Sequence, residues 1–249
     1  MGLIPYEYIT FDGKTSAEFG VWISGGGTFN APARDIETVS IPGRNGNLTF
    51  DNGRYNNITV TYPAFISRRF QPRIDDFRAW ICSKYRYCRL EDTYHPDEFR
   101  MGIFKGGLTV SVTPRNLAGS FTLSFDCKPQ RFLKSGEMPV EYTANGKIYN
   151  PTYYTANPLI TLYGSAGANG AFNIKGGQQI DFVFPESGTI IIDTDISEAY
   201  DTDGTNLNAN ISFPNTNKAK DMPRIEPGEN AVLMSNVTRA VIVPRWWTL

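Results

Sequence analysis

The chain has 249 residues, enough for one large domain or two ordinary ones. Its 41% hydrophobic and 20% charged residues indicate a folded rather than a disordered protein. The 24 basic and 25 acidic side chains leave a net charge of −1. That balance argues against a dedicated nucleic-acid binder, because such proteins rely on cationic contacts to phosphates. No stretch approaches the roughly 20 apolar residues of a transmembrane helix, so we expect no membrane insertion.

Strands joined by tight turns are predicted in the first part of the chain. Asp12-Gly13 is a pair typical of a hairpin turn, because its glycine tolerates a positive φ. Ile41-Pro42-Gly43 ends a strand, and Asn45-Gly46 is a strong turn signal. A further turn is expected at Asp51-Asn52-Gly53. A strand follows it, with alternating apolar residues at Ile58, Val60 and Tyr62.

One stretch has the spacing of an amphipathic helix. From Pro72 onward, one helical face would carry Ile74, Phe77, Ile81 and Tyr85. Proline suits the first turn, where its missing N–H costs little. We expect this helix to lie on one sheet through that face.

The clearest strand of the sequence runs from Gly119 to Lys128. Its apolar residues alternate with polar ones, at Phe121, Leu123, Phe125 and Cys127. An earlier strand shows a similar alternation, at Phe99, Met101 and Ile103. Pro129 ends the long pattern because it removes a ladder donor. Residues 1–133 therefore predict a mostly antiparallel β-sandwich with one α-helix.

The second half of the chain predicts strands and turns only. Residues 134–150 show little apolar periodicity and are interpreted as a linker. Residues 151–249 would form a second domain, with residues 193–221 as a long polar loop. The predicted strands lie at 159–163, 172–174, 180–184, 189–192, 231–234 and 240–243. Short strands with turns between them are typical of a jelly-roll-like sandwich.

Catalytic residues are not evident in the sequence. His95 is the only histidine, and it lies in a polar turn where a solvated imidazole is expected. Without a second histidine the usual histidine-rich metal sites are excluded. Three carboxylate pairs fit turns and strand edges better than a glycosidase cleft: Glu91-Asp92, Asp97-Glu98, and Asp193 with Asp195. We therefore expect neither an enzyme nor a cofactor.

Three cysteines and one acidic loop are the remaining candidates for disulfide or metal sites. Cys82, Cys88 and Cys127 have no paired spacing, so we expect reduced, half-buried packing residues. The run from Asp201 to Asn206 has oxygen ligands at alternate positions, as calcium prefers. Its glycine falls at the fourth place, and the twelfth place is Ser212 where a glutamate is needed. An Asp-Gly turn is the better account, and no metal is expected.

Basic residues outnumber acidic ones between Arg68 and Arg89. One interpretation is a solvated helix face with its flanks. The other is a surface that lines a channel or meets an acidic subunit, because clustered charge focuses a field. The candidate residues for the second interpretation are Arg68, Arg69 and Arg73.

Arg245, Trp246 and Trp247 stand at the end of the chain. Two tryptophans have a large apolar area that rarely stays in water. Three roles stay open: anchoring of the last strand on the body, stacking on a sugar, or contact with another subunit.

Motifs along the whole chain resemble, in their order, those of siphophage distal tail (Dit) proteins from phages of Gram-positive hosts. In the first half they are Arg34-Asp35-Ile36-Glu37 running into residues 41–48, Trp80-Ile81-Cys82, Arg89-Leu90-Glu91-Asp92 and residues 125–132. In the second half they are Asn157-Pro158, Asp193-Thr194-Asp195, Tyr200-Asp201, residues 223–230 and Pro244-Arg245-Trp246-Trp247.

The resemblance implies a structural hub of the tail tip. N-terminal domains of such proteins form a hexameric ring that continues the tail tube and docks the tail-tip protein. DNA passes through the ring without specific binding. The C-terminal domain implied is a galectin-like β-sandwich that projects outward and can support receptor-binding proteins. The protein would lie at the distal end of the phage tail in the virion, after assembly in the host cytoplasm.

A closed ring needs a heterologous interface, and rigid loops suit one. The candidate subunit contacts are Arg34, Pro42, Gly43, Arg44, Asn45 and Gly46. A different function stays open beside the hub: a carbohydrate-binding module that recognises host cell-wall glycans through the C-terminal sandwich.

Overall fold

The computed structural model describes residues 6–67, 70–174, 178–214 and 222–249. Strands dominate, and the helix α1 spans Phe70–Cys82. The chain divides into two compact units between Arg131 and Phe132, close to the predicted domain end at residue 133. We call them the N-terminal unit and the C-terminal unit. The mostly β fold class with one α-helix is confirmed.

Ten strands form the N-terminal unit and its exit: β1 (Ile9–Phe11), β2 (Lys14–Thr15), β3 (Val21–Ile23), β4 (Arg34–Ser40), β5 (Asn47–Tyr55), β6 (Ile58–Ser67), β7 (Cys88–Asp92), β8 (Glu98–Phe104), β9 (Ser111–Val112) and β10 (Ala118–Leu133). The main sheet has the order β2-β1-β7-β8-β10-β6-β3, and β9 also pairs with β10. β4 and β5 pair only with each other within the described residues.

The main sheet curls, so that β3 at one end of the strand order comes next to the segment before β1 at the other end. Glu7, just before β1, pairs with Ile23 of β3, whose N–H donates to the Glu7 carbonyl at 2.8 Å. β3 is the last strand of the order and β1 the second, so this pairing brings opposite sides of the sheet together. The curled sheet encloses an apolar core as a sandwich does.

The long ladder between β6 and β10 confirms the predicted period of two. Phe121, Leu123, Phe125 and Cys127 are all buried, as are the alternate residues of β6. α1 covers this core with Phe70, Ile74, Phe77 and Ile81. Phe77 and Phe121 lie with ring centroids 5.7 Å apart. The apolar alternation of β10 and the helical periodicity of α1 therefore meet in one core.

Two local predictions in this unit are wrong. Tyr85 is not on the helical face, because α1 ends at Cys82 and Tyr85 is 91% exposed. Residues 51–53 form no chain reversal; they lie within β5, where the pairing with β4 shifts register between Arg34 and Ile36. That shift is a bulge, and Gly53 supplies its positive φ of 70°.

β8 turns the opposite face inward from the one its apolar residues suggest. Phe99, Met101 and Ile103 are half-buried, whereas the alternate residues Arg100, Gly102 and Phe104 are buried. A Cβ on Gly102 would lie 3.0 Å from the Cys127 sulfur, so this strand packs closely on β10. Alternation shows which residues share a face, but not which face is inward.

The C-terminal unit contains β11 (Val140–Tyr142), β12 (Gly146–Asn150), β13 (Leu159–Tyr163), β14 (Asn169–Ile174), β15 (Ile180–Val183), β16 (Thr189–Asp193), β17 (Glu198–Tyr200), β18 (Ile211–Ser212), β19 (Gly228–Ser235), β20 (Arg239–Val243) and β21 (Trp247–Thr248). Two five-stranded sheets have the orders β11-β20-β13-β16-β17 and β12-β19-β14-β15-β18. Their inner faces form one core, which gives the expected two-sheet sandwich.

The predicted linker at residues 134–150 is wrong. β11 pairs with β20 and β12 pairs with β19, so this stretch supplies an edge strand to each sheet. Edge strands carry polar, exposed residues, which is why apolar periodicity did not reveal them. The predicted polar loop at 193–221 likewise contains β17 and β18; its residues 215–221 lie outside the described part of the chain.

The beginning and the end of the C-terminal unit are joined by backbone hydrogen bonds. Leu133 N–H donates to the Trp246 carbonyl at 2.9 Å, and Arg245 N–H donates to the Gly136 carbonyl at 2.8 Å. Gly136 is buried at this junction. A Cβ there would lie 2.3 Å from the Trp246 backbone nitrogen, which a side-chain rotation cannot relieve.

Gly136→Ala should therefore destabilise the protein, because the added methyl meets backbone. We expect a loss of about 2 kcal/mol in the free energy of unfolding, typical of overpacking a close contact. Urea unfolding of the full chain, followed by tryptophan fluorescence, measures it. Gly107→Ala is the matched control, since a Cβ there meets nothing within 4 Å. Equal unfolding midpoints for the two variants would contradict the close approach at Gly136.

Candidate functional site

The two-stranded sheet of β4 and β5 is the most exposed element of the N-terminal unit. We call it the hairpin; it comprises residues 34–55. Nearly every residue in both strands is exposed. The register pairs Val39 with Leu48 and Glu37 with Phe50. The loop at the tip contains Gly43 and Gly46, whose φ values of 81° and 80° need residues that tolerate the left-handed region.

One face of the hairpin is mostly apolar, with Glu37 as its charged member opposite Phe50. Side chains alternate along a strand, so Val39, Leu48 and Phe50 share a face. They are 47%, 40% and 50% exposed, and Ile41 just beyond β4 is 38% exposed. We call these four residues the apolar strip. The other face carries Thr38, Ser40, Asn47 and Thr49, with Ile36 as its apolar exception. Exposed apolar area of this kind marks an interaction surface.

The base of the hairpin is fixed by charged groups. Arg34 donates to Asp51 from Nε at 2.6 Å and to the Tyr55 hydroxyl at 3.2 Å. Arg54 donates to Asp35 at 2.6 Å. The hydrogen bond from Arg34, followed by that from the Gly53 N–H, lowers the pKa of Asp51. These groups are exposed, so their contribution is to geometry more than to stability.

The predicted subunit contacts divide between the two ends of the hairpin. Pro42, Gly43, Arg44, Asn45 and Gly46 lie together at the tip and are exposed. Arg34 lies at the base, and its guanidinium is engaged within the hairpin. A contact by the tip with another subunit stays a prediction, whereas Arg34 has a structural role inside the chain. Sequence patterns missed the apolar strip because the register of β4 on β5 had not been assigned.

The predicted basic cluster lies mostly outside the described residues and stays a prediction. Arg68 and Arg69 lie outside the described residues. Arg73 is half-buried on α1 and packs over Gly20: a Cβ on that glycine would lie 2.3 Å from Arg73 Nη1. Arg73 therefore packs on its own unit.

The three residues near the C-terminus anchor the last strand. Trp246 is 6% exposed and belongs to the core of the C-terminal unit. Trp247 stacks on Tyr154 with ring centroids 4.5 Å apart and donates from Nε1 to the Thr155 carbonyl at 2.9 Å. Anchoring is the one of the three open roles that these contacts support.

Arg245 completes the anchor through two hydrogen bonds to Asp193, at 2.7 and 3.0 Å. Burial by itself raises the pKa of Asp193, but the hydrogen bonds and charge of Arg245 outweigh it. The net result is a lowered pKa for Asp193. The same pair raises the pKa of Arg245.

His95 is not the solvated imidazole that its polar turn suggests. Its side chain is 14% exposed, and Nδ1 lies 2.9 Å from Oδ1 of Asp92. The other carboxylate oxygen of Asp92 accepts from the Tyr62 hydroxyl at 2.7 Å. Burial, and then the charge of Asp92, raises the pKa of Tyr62 well above its ordinary value. Sequence reasoning missed this network because its members come from different strands.

The cysteines and the acidic loop have structural explanations. Cys88 and Cys127 are buried free thiols, while Cys82 is exposed, contrary to the half-buried expectation. Burial raises the pKa of Cys127 to about 12, so it is a poor nucleophile. Asp201 Oδ1 accepts the backbone N–H groups of Asp203 and Thr205, as in an Asp-Gly turn.

The described residues contain neither a metal cluster nor a helix that could span a membrane. Over residues 6–67, 70–174, 178–214 and 222–249, no group of three or more His, Cys, Asp or Glu side chains is arranged to hold a metal ion. Within the same ranges, no helix is both long enough and apolar enough to cross a membrane.

Comparison with known proteins gives similarity in structure only. No protein-family model matches the sequence, and no curated protein matches it. The fold is similar to the crystal structure of SPP1 Dit, a hub of the adsorption apparatus in phages that infect Gram-positive bacteria, with a TM-score of 0.75 and 14% identity. The match covers 98% of this chain and 100% of that one.

Two structures of the phage p2 baseplate in its activated conformation are also similar. The one with calcium gives a TM-score of 0.54 at 12% identity, over 96% of this chain and 97% of the other. The one with strontium gives 0.52 at 14% identity, over 95% and 96%. At such identities these matches establish the fold, and they do so for both units.

Loss of the Asp193 charge should destabilise the C-terminal unit. A folded-state pKa below the unfolded value gives stability that is present at neutral pH and is lost as the pH falls through the folded pKa. Asp193→Asn should cost about 2 kcal/mol at neutral pH, as expected for hydrogen bonds to a charged group. It should also remove part of the loss of stability below about pH 4.

Urea unfolding of the full chain at neutral and acidic pH measures both effects. Asp203→Asn is the control, because Asp203 lies exposed in a polar turn. An unchanged acid dependence in Asp193→Asn would show that the Arg245 pair does not stabilise the folded state.

Proposed function

We propose that this protein is a structural hub of a siphophage tail tip. Six copies form a ring that joins the tail tube to the tail-tip protein and supports receptor-binding components. The protein acts at the distal end of the tail in the virion, after assembly in the host cytoplasm. Its role is structural rather than catalytic.

The similarity to SPP1 Dit over both entire chains supports this proposal most strongly. A TM-score of 0.75 over 98% of this chain includes the N-terminal unit with its hairpin and the C-terminal sandwich. A likeness limited to one unit would indicate only a common β-sandwich, which many unrelated functions share. The likeness extends to the combination of two different units in one chain.

The hairpin supplies a surface of the kind that a ring requires. A two-stranded hairpin is at best marginally stable in water by itself. Each residue of the apolar strip keeps 38–50% of its surface exposed in the described chain. A neighbouring copy that packs on the strip would bury it. Repetition of one such heterologous contact around an axis closes a ring.

The charge of the chain suits a channel through which DNA slides. A net charge of −1 gives no general attraction to phosphate. Within the described residues, Arg73 packs on Gly20 and Arg34 is bonded to Asp51. These two cations therefore do not add a free basic surface. DNA would pass through the ring without specific binding.

The C-terminal unit would serve as a platform for other tail components. Its two ends are joined by the backbone hydrogen bonds of Leu133 and Arg245, which close the unit on itself. The alternative of a glycan-binding module loses its main sequence support, because Trp246 is buried and Trp247 stacks on Tyr154. No other observation favours sugar binding.

The proposal predicts the oligomeric state of the full chain. We expect native mass spectrometry to give a hexamer and negative-stain microscopy to show rings. Leu48→Glu places a charge in the apolar strip and should weaken assembly. Burial of one leucine contributes about 2 kcal/mol per contact, which corresponds to roughly 30-fold weaker association.

Thr49→Glu is the matched control, since it adds the same charge to the next residue of β5 on the opposite face. We expect it to leave the rings intact, and both variants to remain folded by circular dichroism. A wild-type chain that stays monomeric at high concentration would refute the ring. Rings that tolerate Leu48→Glu but not Thr49→Glu would place the contact on the other face.

A further inference from the structure

A small polar cavity, partly open at its mouth, lies in the N-terminal unit beside the segment that precedes the hairpin. It is lined by Thr28, Tyr62, Asp92, His95, Glu98 and Arg100, with Arg131 nearby among its walls. It leaves about 10 Å³ for the centre of a water molecule. That volume suits about one water molecule.

Several buried polar atoms in this cavity have no hydrogen-bond partner. Arg100 is 7% exposed, and both its Nη1 and Nη2 are unpartnered. Nε2 of His95 is buried and unpartnered as well. Glu98 Oε2 lies 2.9 Å from Arg131 Nε, but accepts no well-aligned hydrogen bond. Buried groups of this kind are costly unless a partner satisfies them.

The hydrogen-bond network fixes what His95 offers to the cavity. Nδ1 faces a carboxylate oxygen of Asp92, which can only accept, so the ring proton belongs on Nδ1. Nε2 of a neutral ring is then an acceptor. The cavity therefore contains donors, on Arg100, and acceptors, on His95 and Glu98. A ligand that satisfies them must both accept and donate.

The charges around the cavity favour a neutral ligand. Arg100 and Arg131 face Asp92 and Glu98, and Glu91 in the same lining is paired with Arg89, so no net positive charge is left to hold an anion. The carboxylates would repel an anion, and the arginines would repel a cation. Water is the small ligand that matches the volume, the charge and the mixed hydrogen-bonding groups.

We propose that one buried water molecule binds in this cavity and bridges Arg100 to Nε2 of His95. It accepts a hydrogen bond from the guanidinium and donates one to the imidazole. The water is an integral ligand of the N-terminal unit. Its presence explains how the chain tolerates an arginine on the inner face of β8. This inference does not depend on the proposed hexameric assembly.

The bridged imidazole supports the segment that leads to the hairpin. Phe29 packs edge-on against the His95 ring, with centroids 5.1 Å apart. The Gly27 backbone also lies against it: a Cβ there would be 3.0 Å from His95 Cε1. Asp92 holds one side of the ring and the water holds the other. The orientation of the ring then sets the path of residues 27–29.

The single histidine of the chain makes a direct test practicable. In the full-length protein, nitrogen-detected NMR of the imidazole should show the proton on Nδ1 and Nε2 as a hydrogen-bond acceptor. An exchange-resolved NOE should connect the ring proton on Cε1 to a long-lived water. Arg100→Met should abolish that NOE, whereas the surface variant Arg78→Met should retain it.

Crystallography of the wild-type protein decides the identity of the ligand. A spherical peak within hydrogen-bond distance of Arg100 and His95 Nε2, without anomalous signal in crystals grown with bromide, supports water. An anomalous bromide peak there would identify an anion site and overturn the proposal. So would a structure in which Arg100 bonds directly to Glu98 or His95 and closes the cavity. These wild-type results hold even if Arg100→Met fails to fold.

Discussion

The antiparallel ladder between β6 and β10 is the constraint on which the N-terminal unit depends. It runs in continuous register from the pair Ala118–Ser67 to the pair Cys127–Ile58. On its other side β6 pairs with β3, so β3 and β6 are adjacent strands although the hairpin lies between them in sequence. The hairpin is thus an excursion between two neighbouring strands. The position of its base is set by the pairing of β3 with β6, while β4 and β5 do not themselves pair with that sheet in the described chain.

Hydrogen bonds at the base of the hairpin connect it to the ladder of β6 and β10. Asn56 N–H donates to the Ala33 carbonyl at 2.8 Å, which closes the base. Asn57 donates from Nδ2 to Asp126 of β10 at 2.9 Å and to the Tyr87 hydroxyl at 2.7 Å. The direction in which the hairpin leaves the unit is therefore fixed by β10, the same strand that organises the core.

The sequence revealed the elements whose periodicity comes from burial on one side. The alternation from Phe121 to Cys127 and the helical spacing of Ile74, Phe77 and Ile81 were predictable because one face of each element meets the core. The Asp12-Gly13 hairpin was predictable because local backbone geometry determines it. These features depend on local sequence and on whether a side chain faces solvent or the core.

Features that depend on neighbouring strands were not predictable. Arg100 shares the inner face of β8 with Gly102, where side chains of β7 and β10 come close to the backbone, and alternation within β8 cannot show this. The hydrogen bond from Tyr62 to Asp92, which holds His95 in its network, joins residues 30 apart in sequence. The strip on the hairpin depends on a register that pairs Val39 with Leu48. Its tip was predicted from turn residues, but its apolar face needed the structure.

The hairpin combines an attractive face with edges that resist pairing. Two free strand edges would normally invite further strands and open-ended growth. Here the bulge within residues 51–54 interrupts the edge of β5, and the Arg34–Asp51 and Arg54–Asp35 pairs place charges beside it. Bulges and charged side chains at an edge disfavour backbone pairing with a second chain. Association would then use the apolar strip, through side-chain packing at a fixed angle. Such a contact suits a ring that closes better than a filament that grows.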